Sequence, residues 1–500
     1  MTELLTREEY AAIKDQLDLP RTAFIDGKYR AGTGDTMESI NPATGEVICQ
    51  IAACGAADVD AAVQHARRSF EQRVWSSMHP SERKDVLIKL CKLMTRNRRV
   101  LAVLECIDSG KPIRDCELID LPEAINTIKW HAESIDKIYD QTAPVGDDAM
   151  AVIVREPIGV VAAVLPWNFP LLMLAWKIAP ALAAGNSVIV KPAEQTSLTA
   201  LRVAELATEA GIPNGVLQVL PGTGEAVGEP LGLHPQVDMV SFTGSTDTGK
   251  RFLRYSADSN LKKVVLECGG KNPAIVLEDA EHLDLVAEHL VNGAFWNMGE
   301  NCSASSRLIV HKSVKDDLLQ RIIARTRDWK TGDPLDPANH LGALIDQQHC
   351  AKVASYLNGA STTALTGGSA EGPYVTPTIF DNVGPDDPLA VDEIFGPVLS
   401  VIEVSSLEQA IEVANRSDYG LTASVYSANG NRALRAARAV RAGTVTVNSY
   451  GEGDITTPFG GYKQSGFGGR DNGIHAHDQY TELKTIWVDL SDPAAGDQVL

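Results

Sequence analysis

The sequence predicts an α/β protein built on a parallel sheet with helices on both faces. Three observations lead there. Between residues 158 and 300, short apolar runs alternate with segments of helical length. Glycines close the helical segments. Further glycines, Gly222, Gly224 and Gly244, sit just after strand ends. Strand, helix, strand, helix is the pattern of a sheet whose crossovers cover both faces.

The elements follow in order. Ile158 to Leu165 is a short apolar run, readable as a buried strand, and Pro166-Trp167-Asn168-Phe169-Pro170 breaks it. Leu171 to Ala184 is an apolar helix that stops at Gly185, and Ser187 to Val190 is a second strand, followed by Lys191-Pro192-Ala193-Glu194. Ser197 to Ala210 is an amphipathic helix ended by Gly211, with Pro213 just beyond. Val216 to Leu220, Met239 to Phe242 and Leu261 to Leu266 are the next strands, and Thr243-Gly244-Ser245 opens a helix. In such sheets ligands bind at the carboxyl ends of the strands. A helix opening there offers free N–H groups to a pyrophosphate. Gly222, Gly224 and Gly228 carry one residue more than the G-x-G-x-x-G spacing, so ordinary turns explain them as well.

Residues 41–140 read as mostly helical, with Ser81-Glu82-Arg83-Lys84 capping one helix. A helical stretch covers 285–300, and strand and helix signals then alternate to about 450. Met150 to Arg155 and Thr485 to Leu490 read as strands set apart from the rest.

A chain of 500 residues predicts two or three domains, and a 44% hydrophobic content suffices for a large core without disulfide or metal staples. The net charge of −20 speaks against nucleic-acid and anionic-membrane partners, which require a basic face. The first residues lack the basic start and apolar run of a signal peptide, and the longest apolar run near Val160 meets Pro166 too soon to span a bilayer. None of the eight cysteines forms a C-x-x-C pair, which fits a reducing cytosol. No metal site is expected, because His475 and His477 fall on opposite sides of a helix and no third ligand is near.

Three residues are candidates for chemistry. Cys302 follows a helical segment, and Gly299 permits a tight turn that exposes its thiol, the natural nucleophile toward a carbonyl. Taken alone, a small buried residue explains it too. Glu267 ends a strand beside Gly269-Gly270, where partial burial makes a general base and full solvation an ordinary turn residue. Asn168, bracketed by prolines, is either an oxyanion donor or a helix cap.

Seven motifs decide among these alternatives. They are Pro166-Trp167-Asn168-Phe169-Pro170, Lys191-Pro192-Ala193-Glu194, Phe242-Thr243-Gly244-Ser245, Leu266-Glu267-Cys268-Gly269-Gly270-Lys271, Asn301-Cys302, Glu393-Ile394-Phe395-Gly396-Pro397 and the run from Pro458 to Gly466. In this order they resemble the aldehyde dehydrogenase superfamily over about residues 20–490. The resemblance implies a Rossmann-like cofactor domain (1–138 and 156–266), an α/β catalytic domain (267–466), and a small β oligomerisation flap with the C-terminal segment (139–155 and 467–500). It implies Cys302 as nucleophile, Asn168 as oxyanion donor with the Cys302 N–H, Glu267 as the base for hydrolytic water, and Lys177 in proton relay. Pro166, Trp167, Lys191, Glu194, Gly224, Gly244, Ser245, Glu393 and Phe395 match cofactor contacts. NAD is expected over NADP, because the charge of Glu194 opposes a 2′-phosphate. The flaps imply a homo-oligomer, at least a dimer and more readily a tetramer.

The resemblance also frames the substrate. Phe169, Trp176 and Phe459 match tunnel walls, and Asp120 and Glu123 match a helix at the tunnel mouth. Gly453, flanked by Glu452 and Asp454, stands where relatives acting on simple aldehydes often carry an aromatic. A wide acidic entrance favours a substrate with a distant positive charge. Gly453 to Thr456 and Gly469 to Asp471 are similar to the branch acting on polyamine-derived aldehydes, with γ-glutamylamino and guanidino substrates. The alternatives are a broad aliphatic or aromatic aldehyde oxidiser, a CoA-acylating enzyme, which Glu267 disfavours, and a non-catalytic dinucleotide-binding protein. Departures from the pattern are Cys268 beside the base, Glu300 where Gln is common and expected to raise the Cys302 pKa, an extra glycine at Gly468-Gly469, and Asp471 where Glu is common.

Overall fold

The computed structural model describes residues 3–491; the end of the expected C-terminal segment, from 492 on, lies outside the described residues. Two large sheets organise the chain. In the eight-stranded sheet the spatial order is Lys28–Arg30, Ala23–Ile25, Leu217–Val219, Ser187–Lys191, Val160–Val164, Met239–Thr243, Lys263–Glu267 and Gly466–Phe467. The five strands from Leu217–Val219 to Lys263–Glu267 are parallel, and antiparallel strands cap both sides. Val160–Val164, Ser187–Lys191 and Met239–Thr243 are buried at every residue because helices lie on both faces. The order reverses between Val160–Val164 and Met239–Thr243, and a crevice opens at such a switch point.

The seven-stranded sheet runs Ala364–Thr366, Thr378–Phe380, Val398–Val404, Arg307–His311, Pro273–Val276, Thr422–Tyr426 and Thr444–Val447. Every neighbouring pair in it is parallel except the first. The fold is thus the α/β architecture read from the sequence, with a second sheet that the resemblance implied and the local patterns did not delimit. No helix among the described residues is long and apolar enough to cross a membrane.

Four local readings change. Residues 36–52 form an antiparallel pair, Thr36–Ile40 with Val47–Ala52, before the helices from Ala56 to Ser134 begin. Ser81 does not cap its helix: Pro80–Arg96 starts one residue earlier, and the His79 side chain accepts the Ser81 N–H. The segment 285–300 divides, because after Leu283–Phe295 the chain forms a single tight turn, Trp296–Gly299. The two strands set apart find each other: Thr481–Asp489 pairs antiparallel with Ala149–Pro157, which also pairs with Gln141–Ala143. The Met150 to Arg155 strand is therefore the centre of a three-stranded sheet, with Gln141–Ala143 covering Ala151 to Ile153 of its second edge. In this small sheet Met150 on the central strand and Leu483, Ile486 and Trp487 on Thr481–Asp489 face solvent.

Candidate active site

A cavity of about 210 Å³ opens beyond the switch point, where the loops after the parallel strands meet the turn that carries Cys302. Its lining includes Asn168, Phe169, Glu267, Cys302, Phe459 and Asp471. The turn needs unusual backbone. Asn297, Met298 and Gly299 all take positive φ (54°, 57° and 68°), and a Cβ at Gly299 would fall 2.1 Å from the Gly396 carbonyl oxygen. Local helix propensity does not favour that turn; packing against Gly396-Pro397 dictates it. The result is that Cys302 alone among the eight cysteines is not fully buried.

Burial pushes the Cys302 thiol well above its ordinary pKa, and the carboxylates of Glu452, Glu393 and Glu267 push it further. Glu300 was expected among these acids and is not. Its carboxylate turns away to accept the Ile345 N–H at 3.0 Å, and only its carbonyl faces Asn168. The Asn168 amide is held there: Nδ2 donates to the Glu300 carbonyl at 2.9 Å, while Asn297 Nδ2 donates to the Asn168 carbonyl at 3.1 Å.

Glu267 ends its strand inside the protein, 4% exposed, and neither carboxylate oxygen has a hydrogen-bond partner among the described residues. Burial raises its pKa well above the carboxylate range and the charge of Asp471 adds to this, while Lys177 and Arg470 oppose it. Lys177 Nζ and Asp471 Oδ2 lie 2.7 Å apart, both wholly buried. Asp471, a departure from the family pattern, thus reaches Lys177 directly. Cys268 borders the cavity, but its Sγ packs beside Leu266 and Gly249 and is buried.

A second cleft, about 440 Å³, shares Pro166, Trp167, Gly244 and Ser245 with the cavity and extends past Lys191, Glu194 and Gly224. Lys191 Nζ stands 3.0 Å from Glu194 Oε1, and Ser245 caps the helix Thr246–Ala257 by accepting the Thr248 N–H. Where cleft and cavity meet, Glu393 accepts the Gly270 N–H at 2.7 Å. Phe395, at φ 62°, sets its ring edge-on to Trp167 with centroids 5.3 Å apart. His349, which the sequence reading missed, holds this corner: its Nε2 lies 2.6 Å from the Phe395 carbonyl oxygen.

On the other side the cavity continues into an outer tunnel of about 300 Å³, past Trp176, Trp296 and Tyr450. The tunnel lining carries Glu123, Glu452 and Asp454 and no Lys or Arg. Phe169 packs on Trp296 and Trp176 on Phe459, each with centroids 5.2 Å apart. Asp120 is corrected. It is wholly buried, paired with Lys111 at 2.5 Å, and Lys111 in turn sits 3.8 Å above the Phe169 ring. The helical turn that carries Asp120 presents Ile119 to the tunnel and turns Asp120 inward, so Asp120 braces the wall from behind. Gly453, at φ 94°, occupies a conformation no aromatic residue adopts without strain, which accounts for the missing ring. Asp454 spends one oxygen on the Thr456 N–H and hydroxyl. Glu452, seen in the sequence only as a flanking acid, lines both spaces. Among the described residues no group of three His, Cys, Asp or Glu side chains is placed to hold a metal.

The aldehyde dehydrogenase family matches the chain over residues 29–486. An aminoacetaldehyde dehydrogenase of Pseudomonas aeruginosa is 63% identical over 496 residues, covering 98% of this chain and all of the relative. Two solved structures share 46% identity over 97% of this chain and all of theirs. One is an indole-3-acetaldehyde dehydrogenase of P. syringae in complex with NAD+, at a TM-score of 0.96. The other is a γ-glutamyl-γ-aminobutyraldehyde dehydrogenase of Burkholderia cenocepacia, at 0.95.

Proposed function

The chain belongs to the aldehyde dehydrogenase family, and from that premise we propose that it oxidises aldehydes bearing an ω-amino group, or the related guanidino and γ-glutamylamino groups, to carboxylic acids with NAD. One observation carries the substrate class: the outer tunnel that leads to the Cys302 cavity is lined by three carboxylates and no Lys or Arg. Such a passage attracts cations and repels anions. The resemblance to an aminoacetaldehyde dehydrogenase supports the same reading.

The residues at the cofactor cleft fit a dinucleotide. The helix opening at Ser245 offers N–H groups to a pyrophosphate, and Lys191 with Glu194 offers a donor and an acceptor to a ribose. Bound NAD supplies the hydride acceptor. The chain supplies the rest. Sulfur of Cys302 adds to the carbonyl carbon as the thiol gives up its proton to water in the cavity. The oxyanion that forms takes hydrogen bonds from Asn168 Nδ2 and the Cys302 N–H. Oxidation leaves a thioester on Cys302. Glu267, its oxygens unpartnered, takes a proton from water, which hydrolyses the thioester. Lys177 and Asp471 set the field around that base.

The test is a panel of 3-aminopropanal, 4-aminobutanal, 4-guanidinobutanal and γ-glutamylaminobutanal against butanal, hexanal and benzaldehyde, scored by kcat/KM at low and high salt. The three cations, 3-aminopropanal, 4-aminobutanal and 4-guanidinobutanal, are expected to lead, with an advantage that shrinks as salt rises, and the zwitterionic γ-glutamylaminobutanal to follow them. The aromatic tunnel walls favour a second reading, an enzyme for aromatic aldehydes, and a lead for benzaldehyde would establish that one instead.

NAD is expected to exceed NADP in kcat/KM by roughly tenfold, since a 2′-phosphate would meet the Glu194 carboxylate. Lys191, 3.0 Å from that carboxylate, softens the penalty, so the preference is not exclusion. Glu194→Gln should narrow the gap, and a higher kcat/KM with NADP in the native protein would refute the assignment.

The solvent-facing Leu483, Ile486 and Trp487 lie on a strand with one unpaired edge, which suits pairing with a second copy. A homodimer or a tetramer of two such dimers is expected by light scattering at micromolar concentration, and a monomer mass would contradict it. Free cysteines throughout the described chain suit a cytoplasmic setting.

A further inference from the structure

We propose that Glu452 is the residue that determines specificity for a charged substrate, holding the ammonium head of a short ω-amino aldehyde at the junction of tunnel and reaction cavity. The inference rests on the amino-aldehyde reading above and adds to it a position, a spacer length and a kinetic consequence.

Three features single out Glu452 from the other acids of the passage. It alone of the three tunnel carboxylates lines both spaces; Glu123 and Asp454 border the outer tunnel only. Its Oε1 accepts the Ser303 hydroxyl at 2.6 Å, and Ser303 directly follows Cys302, so the carboxylate is tied to the turn that carries the nucleophile. Asp454, by contrast, is exposed and bonded to its own turn at Thr456. The walls around Glu452 are aromatic, Trp176 and Trp296 among them, and aromatic faces favour an ammonium over a hydrated anion.

The tie of Glu452 to Ser303, the residue after Cys302, favours a short spacer such as that of 3-aminopropanal, because a longer chain carries its head past Glu452 into the outer tunnel. Position also couples recognition to rate. Of the carboxylates around Cys302, Glu452 acts most strongly to keep the thiol protonated. An ammonium docked on Glu452 cancels that field, so a cationic substrate eases loss of the thiol proton and a neutral one does not.

The experiment compares 3-aminopropanal with butanal, which replaces the ammonium by a methyl group, in the native enzyme and in Glu452→Gln and Asp454→Asn. The native enzyme is expected to favour 3-aminopropanal. Glu452→Gln should lower the kcat/KM ratio of 3-aminopropanal to butanal roughly 30- to 100-fold, with butanal itself gaining rate at neutral pH because the thiol loses a neighbouring negative charge. It should also move the pH profile for butanal acylation to lower pH. Asp454→Asn should change the ratio only a few-fold, in a salt-dependent way. With 6-aminohexanal, Glu452→Gln should have little effect. If Glu452→Gln fails to fold, Ser303→Ala loosens the same carboxylate and should lower the ratio of the two substrates several-fold. A native preference that survives Glu452→Gln, or Ser303→Ala in its place, overturns the assignment to Glu452 and leaves the amino-aldehyde reading standing. No native preference for 3-aminopropanal overturns both.

Discussion

Replacing Cys302 with alanine is expected to lower aldehyde oxidation by roughly four orders of magnitude or more, with NAD affinity within a few-fold of the native value. The proposed chemistry passes through one covalent bond to its sulfur, and no other cysteine is placed to substitute: the remaining seven are buried. The cofactor cleft is lined by Lys191, Glu194 and Ser245 and not by Cys302, so binding should persist. Steady-state NADH formation and a fluorescence titration with NAD measure the two halves. Activity within tenfold of native would remove Cys302 from the mechanism. The raised thiol pKa adds a pH signature. Acylation in the native enzyme should accelerate as pH rises, because the thiolate fraction grows toward a value above the ordinary cysteine range.

Glu267→Gln is expected to slow turnover by roughly two to four orders of magnitude at the hydrolytic step, while acylation changes far less. An amide cannot take the proton of water. The thioester on Cys302 should therefore accumulate, visible as an added mass on the intact protein and as an NADH burst close to one per site. Loss of the burst together with turnover would mean that Glu267 acts before the thioester forms. In the native enzyme, burial and the Asp471 charge keep the Glu267 carboxyl protonated well above the usual range. Deacylation should accordingly fall as pH drops through that raised value, at a higher pH than an ordinary glutamate would impose. Lys177→Met removes an opposing charge and should move this fall to still higher pH; Lys177→Arg should move it little.

Much of the first sheet was legible in the chain. The largely apolar runs at 158–165, 187–190 and 239–242 and the helices stopping at Gly185 and Gly211 are short-range signals, set by burial on both faces and by backbone conformations that glycine adopts freely. Ser245 as a helix start belongs with them. The candidate chemical residues stood out only through several motifs in one order, since a lone cysteine or glutamate more often has a structural explanation and a lone asparagine as often.

Tertiary structure decided the relations between distant residues. Asp120 reads as a tunnel acid beside Ile119 and Glu123, yet pairing with the buried Lys111 turns it inward, because a wholly buried charge requires a partner. Glu300 lies two residues from Cys302 in sequence, but the positive-φ turn before it sends its carboxylate to Ile345, so Glu452, 150 residues away, stands closest in effect to the thiol. The strand at Met150 to Arg155 gains its second neighbour from the far end of the chain. The sequence by itself determined the buried strands and glycine-ended helices of the first sheet and which residue types are available for chemistry, since both follow from local periodicity and residue identity. Only the packing of two sheets and the turns between them decided which charges face Cys302, because those distances depend on tertiary contacts, some between segments more than about a hundred residues apart, which no local pattern encodes.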